Sequence, residues 1–240
     1  MRNRNSSLIM ILLIVLLVVR SITRGGYDSI GDWLIEHILM MPGIIIGLSL
    51  HEFGHAWVSS KCGDPTPERQ GRLTPNPLAH IDPVGFVSLI FLGFGWGKPV
   101  QIDPYYYKNR RRDEALVAVA GVAMNLIIVI ISVVIAKIML TFGPHFFLRT
   151  NPGLAILQIV EYCIYINLVL MVFNLLPIPP LDGFNLVTQI FDLRKYSWWN
   201  KVYYNGYFIL ILFVALGFTN TILTPALRAM YGVINRFLMM

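Results

Sequence analysis

Charge is scarce in this sequence. Only 13% of its 240 residues are Asp, Glu, Lys or Arg, roughly half the share of an ordinary soluble domain. Cysteine is scarcer still. Cys62 and Cys163 are the two present, which excludes a disulfide framework and a cysteine-based zinc site, and both are expected as unpaired thiols. Internal repeats and low-complexity tracts are absent, which argues against a metal transporter, since transporters commonly show paired repeats. The N-terminal MRNRNSSLIMILLIVLLVV has the charged front and apolar core of a signal peptide. No small-x-small cleavage site follows it, and Arg20 and Arg24 do, so an uncleaved first span is expected there.

What replaces charge is hydrocarbon. The chain is 56% hydrophobic with a mean hydropathy of +0.64. Its apolar residues gather in runs that predict spans at Ser7–Val19, Glu36–Ser60, Glu114–Phe142, Leu154–Leu176 and Tyr203–Leu223. A helix needs about 20 mainly apolar residues to cross a bilayer. The expectation is an all-α polytopic membrane protein of about five to six transmembrane helices. Residues 1–240 form a single domain in this reading, with its core at about 36–194, since the length leaves no room for a sizeable soluble appendage. The net charge of +6 sits in short loops, as membrane topology requires, and does not call for nucleic acid.

Residues 61–113 break the pattern. Pro65, Pro67, Pro75 and Pro77 exclude one continuous helix before Pro83. Residues 71–74 and 98–102 suit short extended segments. Val84–Gly97 is apolar but only 14 residues long, so a re-entrant or β-hairpin insertion is expected here, following the second span.

That second span carries HEFGH. His51 and His55 are four residues apart and share one helix face. Two imidazoles so placed can reach one metal ion, and zinc suits the geometry. Glu52 between them lies where a general base for water is needed. Three ionisable groups in an apolar span default to a functional reading. A catalytic zinc wants a third protein ligand and an open position. Glu161 and Asp182 are the candidates, Asp182 lying just past the helix-breaking Pro177, Pro179 and Pro180. Iron or cobalt could occupy such a site as well.

HEFGHA together with NLLPIPPLDG resembles the site-2 protease family of intramembrane zinc metalloproteases. GRLTPNPLAHIDPVG, residues 71–85, resembles its compact members without PDZ or CBS domains. The resemblance covers roughly residues 44–191. It implies that His51, His55 and Asp182 bind one zinc ion, that Glu52 is the catalytic acid and base, and that Asn174 helps hold substrate or the oxyanion. The family often has Gly-Pro in the Gly-x-x-x-Asn segment of the next core span. Here residues 121–125 read GVAMN, which departs from that pattern in lacking the proline; the Gly-x-x-x-Asn match itself implies Asn125 as a further substrate or oxyanion candidate.

Depth supports Asp182 over Glu161. His51 and His55 lie roughly 8–14 Å from the end of their span at 1.5 Å per residue. Asp182 follows the end of a later span, so an even number of crossings must separate them. Glu114–Phe142 and Leu154–Leu176 supply these, and Val84–Gly97 is therefore expected not to cross. The loops around Lys61–Pro83, Lys98–Asp113 and Asp182–Lys201 then share one side and hold most of the basic residues. Positive-inside makes that side cytoplasmic, with the active site toward the cytoplasmic face of the plasma membrane. Glu161 matches Lys137 in depth, and an intramembrane ion pair is expected. His80, in PLAHIDP, either contacts substrate, tunes the zinc water, or is a loop histidine bonded to Asp82 or backbone.

The reading is an intramembrane zinc metalloprotease acting on membrane-spanning substrates within the lipid bilayer. The alternatives are a non-proteolytic zinc-containing scaffold, which would have no need of Glu52, and a zinc protease of soluble peptides.

Overall fold

The computed structural model describes Thr23, residues 27–92 and residues 96–239. The expected first span at Ser7–Val19 lies outside them. Three described helices are long and apolar enough to cross a membrane: α1 at Ile30–Lys61, α3 at Arg110–Phe142 and α4 at Asn151–Asn174. Between α1 and α3 lies α2 at Pro83–Leu92, and α5 (Asp182–Phe191), α6 (Gly206–Ala215) and α7 (Phe218–Met239) follow α4.

Local chemistry sets the helix ends. Ser29 caps α1 by accepting from the Asp32 amide, Asn109 caps α3 from the Arg112 amide, and Thr150 caps α4 from the Gly153 amide. Pro152 occupies the first turn of α4, where its missing N–H costs nothing. The helix α1 runs through Pro42 without a break and begins six residues before the expected Glu36.

α1, α3 and α4 pack against one another and form the centre of the fold. On α3, Leu126, Ile127, Ile130, Ile131, Val134 and Ile138 point outward and are exposed, while Ala118, Gly121, Val122, Asn125, Val129 and Ser132 point inward. Small and polar residues inside with large aliphatic ones outside is the pattern of a helix in lipid, where close backbone approach replaces the hydrophobic effect. Across this interior, Val122, Val129 and Val133 of α3 meet Ile164, Leu168 and Met171 of α4.

Three expectations need correcting. The run Tyr203–Leu223 is not one span. It divides into a short helix at Ser197–Tyr204, then α6 and α7, with Gly217 at φ 75° turning the chain between the last two. Hydropathy averages over such a turn, whereas a positive φ ends a helix outright. The ion pair of Lys137 with Glu161 does not form. Instead Lys137 Nζ donates to the Leu238 carbonyl at 2.9 Å. The C-terminal helix α7 packs on α3 and α4 through Leu227, Met230, Tyr231, Ile234 and Leu238, and its last carbonyls, which have no partner within the helix, supply the acceptor.

Residues 71–74 and 98–102 form no strand. Among the described residues the one β pairing is an isolated antiparallel bridge between Ile81 and Gly97. The prolines explain this. They withhold ladder donors and favour single helical turns, seen at Thr66–Arg69, Pro77–His80 and Pro104–Tyr106.

The insertion is anchored instead by a buried side-chain network. Asp64 is fully buried and accepts from the Thr66 and Asp103 amides at 2.9 and 2.8 Å and from Ser59 Oγ at 2.8 Å. Ser59 also bonds the Tyr107 hydroxyl at 2.7 Å, and burial pushes that hydroxyl up to about 12, so it stays protonated. Both ends of the insertion are thereby tied to the last turn of α1.

Burial opposes ionisation of Asp64, yet the hydrogen bonds from Thr66, Asp103 and Ser59 outweigh it and hold the carboxyl below its usual value. A folded-state pKa that is lowered gives stability that is fully present above the unfolded value of about 3.9 and fades as pH falls through the folded one. Hydrogen-exchange protection of residues 62–107 should therefore fall as pH drops below about 4. Asp64→Asn should destabilise the insertion by about 1–3 kcal/mol at neutral pH and flatten that acid dependence. An unaltered acid profile in the variant would exclude Asp64 as its source.

Candidate metal centre

The interior of the bundle holds polar side chains that hydrocarbon cannot solvate. His51 and His55 lie one turn apart on α1, with ring centroids 4.7 Å apart and planes at 83°. Their Nε2 atoms approach to 3.1 Å. Asp182, the first residue of α5, brings Oδ2 to 3.2 Å from His51 Nε2 and 3.3 Å from His55 Nε2. One ligand atom from each of the three residues lies within 4.8 Å of the others.

The two imidazoles are held from behind. His51 Nδ1 lies 2.7 Å from Asn125 Oδ1, and His55 Nδ1 lies 2.8 Å from the Val117 carbonyl. Both partners are acceptors, so each Nδ1 carries the hydrogen and each Nε2 presents a lone pair. Two nitrogen lone pairs and a carboxylate oxygen then face one point. The buried Asp182 Oδ2 has no hydrogen-bond donor there. An oxygen so placed is costly unless a cation sits beside it, and this donor set suits zinc.

Room for the imidazoles comes from Gly121 of α3. A Cβ at that position would lie 2.6 Å from His51 Cε1 and His55 Nε2 and 2.7 Å from His51 Nε2. Gly54 does the same one turn along α1, where a Cβ would lie 2.8 Å from the Ala120 carbonyl. α1 and α3 thus touch backbone to backbone beside the site.

Asp182 arrives by a different route. α4 ends at Asn174 and the prolines at 177, 179 and 180 prevent its continuation. At Gly183 any side chain would collide with the Leu175 carbonyl, so glycine lets α5 start tight against the end of α4. The far end of α5 is clamped to α3. Glu114 is buried and pairs with Arg194, Arg110 and Gln189, while Arg111 donates to the carbonyls of Gln189 and Ile190.

Glu52 is half-buried, and its Oε2 accepts from the Val100 amide at 3.0 Å. Gly97 lies against it, with a Cβ there falling 3.3 Å from Oε1. The segment that follows α2 therefore comes back across Glu52.

The remaining sequence-derived candidates divide. Asn125 is fully buried with both ends of its amide engaged. It backs His51, and its other partners are the Gly47 carbonyl and Asn167. His80 is fully buried, with Nε2 2.7 Å from the Thr74 carbonyl. Its buried Nδ1 has no hydrogen-bond partner among the described residues. Asn174 donates to the Leu170 carbonyl at 2.9 Å within its own helix. Glu161 is exposed on α4 beside Tyr231 and Asn235, away from the three ligand atoms. Sequence reasoning missed Asn167, which is fully buried and bonded to Asn125 at 2.9 Å. An amide in the middle of an apolar span was the available signal.

Residues 146–217 match the family model described as peptidase family M50. YwhC of Bacillus subtilis, which carries the name of a zinc metalloprotease, is 33% identical over 186 residues, covering 78% of this chain and 84% of that one. Rip2 of Mycolicibacterium smegmatis carries the same description. It is 32% identical over 153 residues, 61% of this chain and 55% of its own length. Rip2 of Mycobacterium tuberculosis is 30% identical over 154 residues, again 61% of this chain and 55% of that protein. No solved structure matches the chain.

The Gly121 contact yields a direct check. Gly121→Ala should weaken zinc binding by at least about tenfold, measured by chelator competition, while helical content stays at the wild-type level. Undiminished affinity would mean that the imidazoles are not seated against this glycine when metal is bound.

Proposed function

Since the chain belongs to peptidase family M50, the site-2 proteases, and is a zinc metalloprotease with membrane-spanning helices, we propose that it hydrolyses peptide bonds of membrane-spanning substrates, using His51, His55 and Asp182 to hold one zinc ion and Glu52 as general base. The observation that carries this reading is the meeting of the three ligand atoms within 4.8 Å, with Glu52 following His51 directly on the same helix.

Zinc bound there supplies Lewis acidity, which acidifies water and polarises a carbonyl. Glu52 takes the proton from the attacking water and delivers it to the departing amine. The Val100 amide holds Oε2 of that carboxylate, which leaves Oε1 to move the proton. Glycine at 97 keeps Oε1 open to a reacting group, since a side chain there would press on it from 3.3 Å. Asn174 is proposed to help hold substrate or the oxyanion by exchanging its bond to the Leu170 carbonyl for one to the substrate. The ligand atoms stay oriented because each imidazole donates its Nδ1–H to a fixed acceptor.

A membrane-spanning helix has its amides bonded internally, so it must unwind before cleavage. Residues 96–103 are non-helical apart from the bridge at Gly97, and Trp96, Lys98, Pro99, Gln101 and Ile102 are exposed. An unwound substrate is proposed to lie along this segment, forming strand pairing there only when it binds, since the segment forms no strand by itself.

The insertion is proposed to be re-entrant, and two observations support this. Ile81 and Gly97 are bridged antiparallel, so the chain that passes through α2 begins and ends at one depth. α2 is ten residues long, about half of what a crossing needs, and it packs through Phe86, Leu89 and Ile90 on Ile44, Leu48 and Ile166 of the bundle. With α3 and α4 as the two intervening crossings, Asp182 returns to the side of His51 and His55. The basic loops on that side make it cytoplasmic by positive-inside, with the plasma membrane as the site of residence. Residues 1–240 act as one protease domain in this proposal.

Two measurements test it. Purified Glu52→Gln should keep its zinc and lose at least about 100-fold in cleavage of model transmembrane peptides, whereas Asp182→Asn should lose zinc. Unchanged turnover in the first, or full zinc in the second, would reject the assigned role, and stoichiometric zinc without cleavage by wild type would favour the scaffold alternative. Cysteines placed one at a time at residues 81 and 98 should both react with an impermeant thiol reagent from the cytoplasmic side; labelling from opposite sides would overturn the re-entrant arrangement.

A further inference from the structure

Behind His51 runs a chain of hydrogen bonds that crosses all three long helices. Asn125 of α3 offers Oδ1 to His51 Nδ1 at 2.7 Å. Its Nδ2 donates to the Gly47 carbonyl of α1 at 3.2 Å and to Asn167 Oδ1 of α4 at 2.9 Å. Asn167 Nδ2 donates to the Cys163 carbonyl of its own helix at 2.8 Å. Asn125 and Asn167 are both fully buried.

The hydrogens in this chain can be assigned only one way. An amide nitrogen has two hydrogens and no lone pair to offer, and an amide oxygen accepts only. Cys163 contributes a carbonyl, so the nitrogen of Asn167 faces it and the oxygen faces Asn125. Asn125 therefore turns its nitrogen toward Asn167 and Gly47, two acceptors for its two hydrogens. Its oxygen is then left for His51, which must carry its hydrogen on Nδ1 and aim the Nε2 lone pair at Asp182 and His55. With Asn167 gone, an inverted Asn125 amide would lose only the Gly47 contact. It would then present N–H to His51 and favour the tautomer whose Nε2 bears a hydrogen and cannot bind metal.

We propose that Asn167 is a positioning residue for the zinc site. It fixes the orientation of the Asn125 amide and through it the tautomer of His51. Packing agrees with this role. Gly47 leaves the space that the Asn167 amide occupies, since a Cβ there would lie 2.9 Å from Asn167 Oδ1. A purely structural asparagine would need only a satisfied amide, whereas this one ends a relay whose far end is a ligand atom.

The proposal rests on His51 as a zinc ligand, and its test separates the two claims. Zinc affinity is measured by chelator competition on purified full-length protein carrying His51→Ala, Asn167→Leu, Asn125→Asp, and Asn125→Asp with Asn167→Leu together. Asn167→Leu should weaken zinc by about 10–100-fold. An aspartate at 125 has acceptors at both oxygens and cannot be inverted, so adding Asn167→Leu to Asn125→Asp should change affinity by less than about threefold. Equal weakening in both backgrounds would show that Asn167 acts on packing and would overturn the relay, as would wild-type affinity in Asn167→Leu. Wild-type affinity in His51→Ala would instead reject the ligand assignment. If Asn167→Leu does not fold, Asn167→Asp, which keeps an acceptor toward Asn125, decides the matter: zinc affinity within about threefold of wild type supports the relay, and a loss of 10-fold or more rejects it.

Discussion

Hydrocarbon offers no hydrogen-bond partner, and most of this structure follows from how the chain meets that constraint. A histidine inside an apolar bundle has two nitrogens to satisfy. His51 satisfies one through Asn125 and His55 through the Val117 carbonyl, and the remaining nitrogens turn toward each other and Asp182. The polar groups thus sort into a closed set behind the imidazoles and an open set in front of them. Only the open set lacks protein donors, and only a cation completes it.

Such a set requires helices that nearly touch. The hydrophobic effect does not press helices together in lipid, so close packing and hydrogen bonds have to. Gly47, Gly54 and Gly121 provide the approach, each at a level where a side chain of one helix needs the space of another. Asp182 comes from a separate element, the start of a helix that begins beside the site. The prolines after Asn174 keep α4 from running on into it, and the ionic clamp of Glu114 with Arg194 and Arg110 holds α5 against α3 from outside the apolar layer. The carboxylate is buried while both arginines reach solvent, so the clamp adds little net stability but fixes position.

What could be read from the sequence was whatever chemistry forces on residue type and spacing. HEFGH and the aspartate after a proline break are legible because a metal needs those atoms at those separations. The three long helices are legible because lipid imposes their length and composition. Angular position is not. Lys137 and Glu161 match in depth, but depth does not say which way each faces or that α7 brings the Leu238 carbonyl to the lysine. The run at Tyr203–Leu223 has the hydropathy of a span, and the turn at Gly217 depends on one dihedral that composition does not encode. Asn125 was visible as a polar residue in an apolar helix, but whether it faced substrate or a histidine depended on its neighbours across the interface. Asn167 carried the same signal without any motif to draw attention to it.

The return of the insertion past Glu52 ties substrate recognition to catalysis within the proposed mechanism. Val100 has one amide hydrogen, and the Glu52 carboxylate takes it. The same stretch, from Trp96 to Ile102, carries the exposed edge on which an unwound substrate would lie. The base is then held by the element that receives the peptide. Glu52 shares α1 with His51 and His55, so the helix sets the spacing of base and ligands, and the insertion, fastened to α1 through Asp64, Ser59 and Tyr107, adds the hydrogen bond that orients the carboxylate.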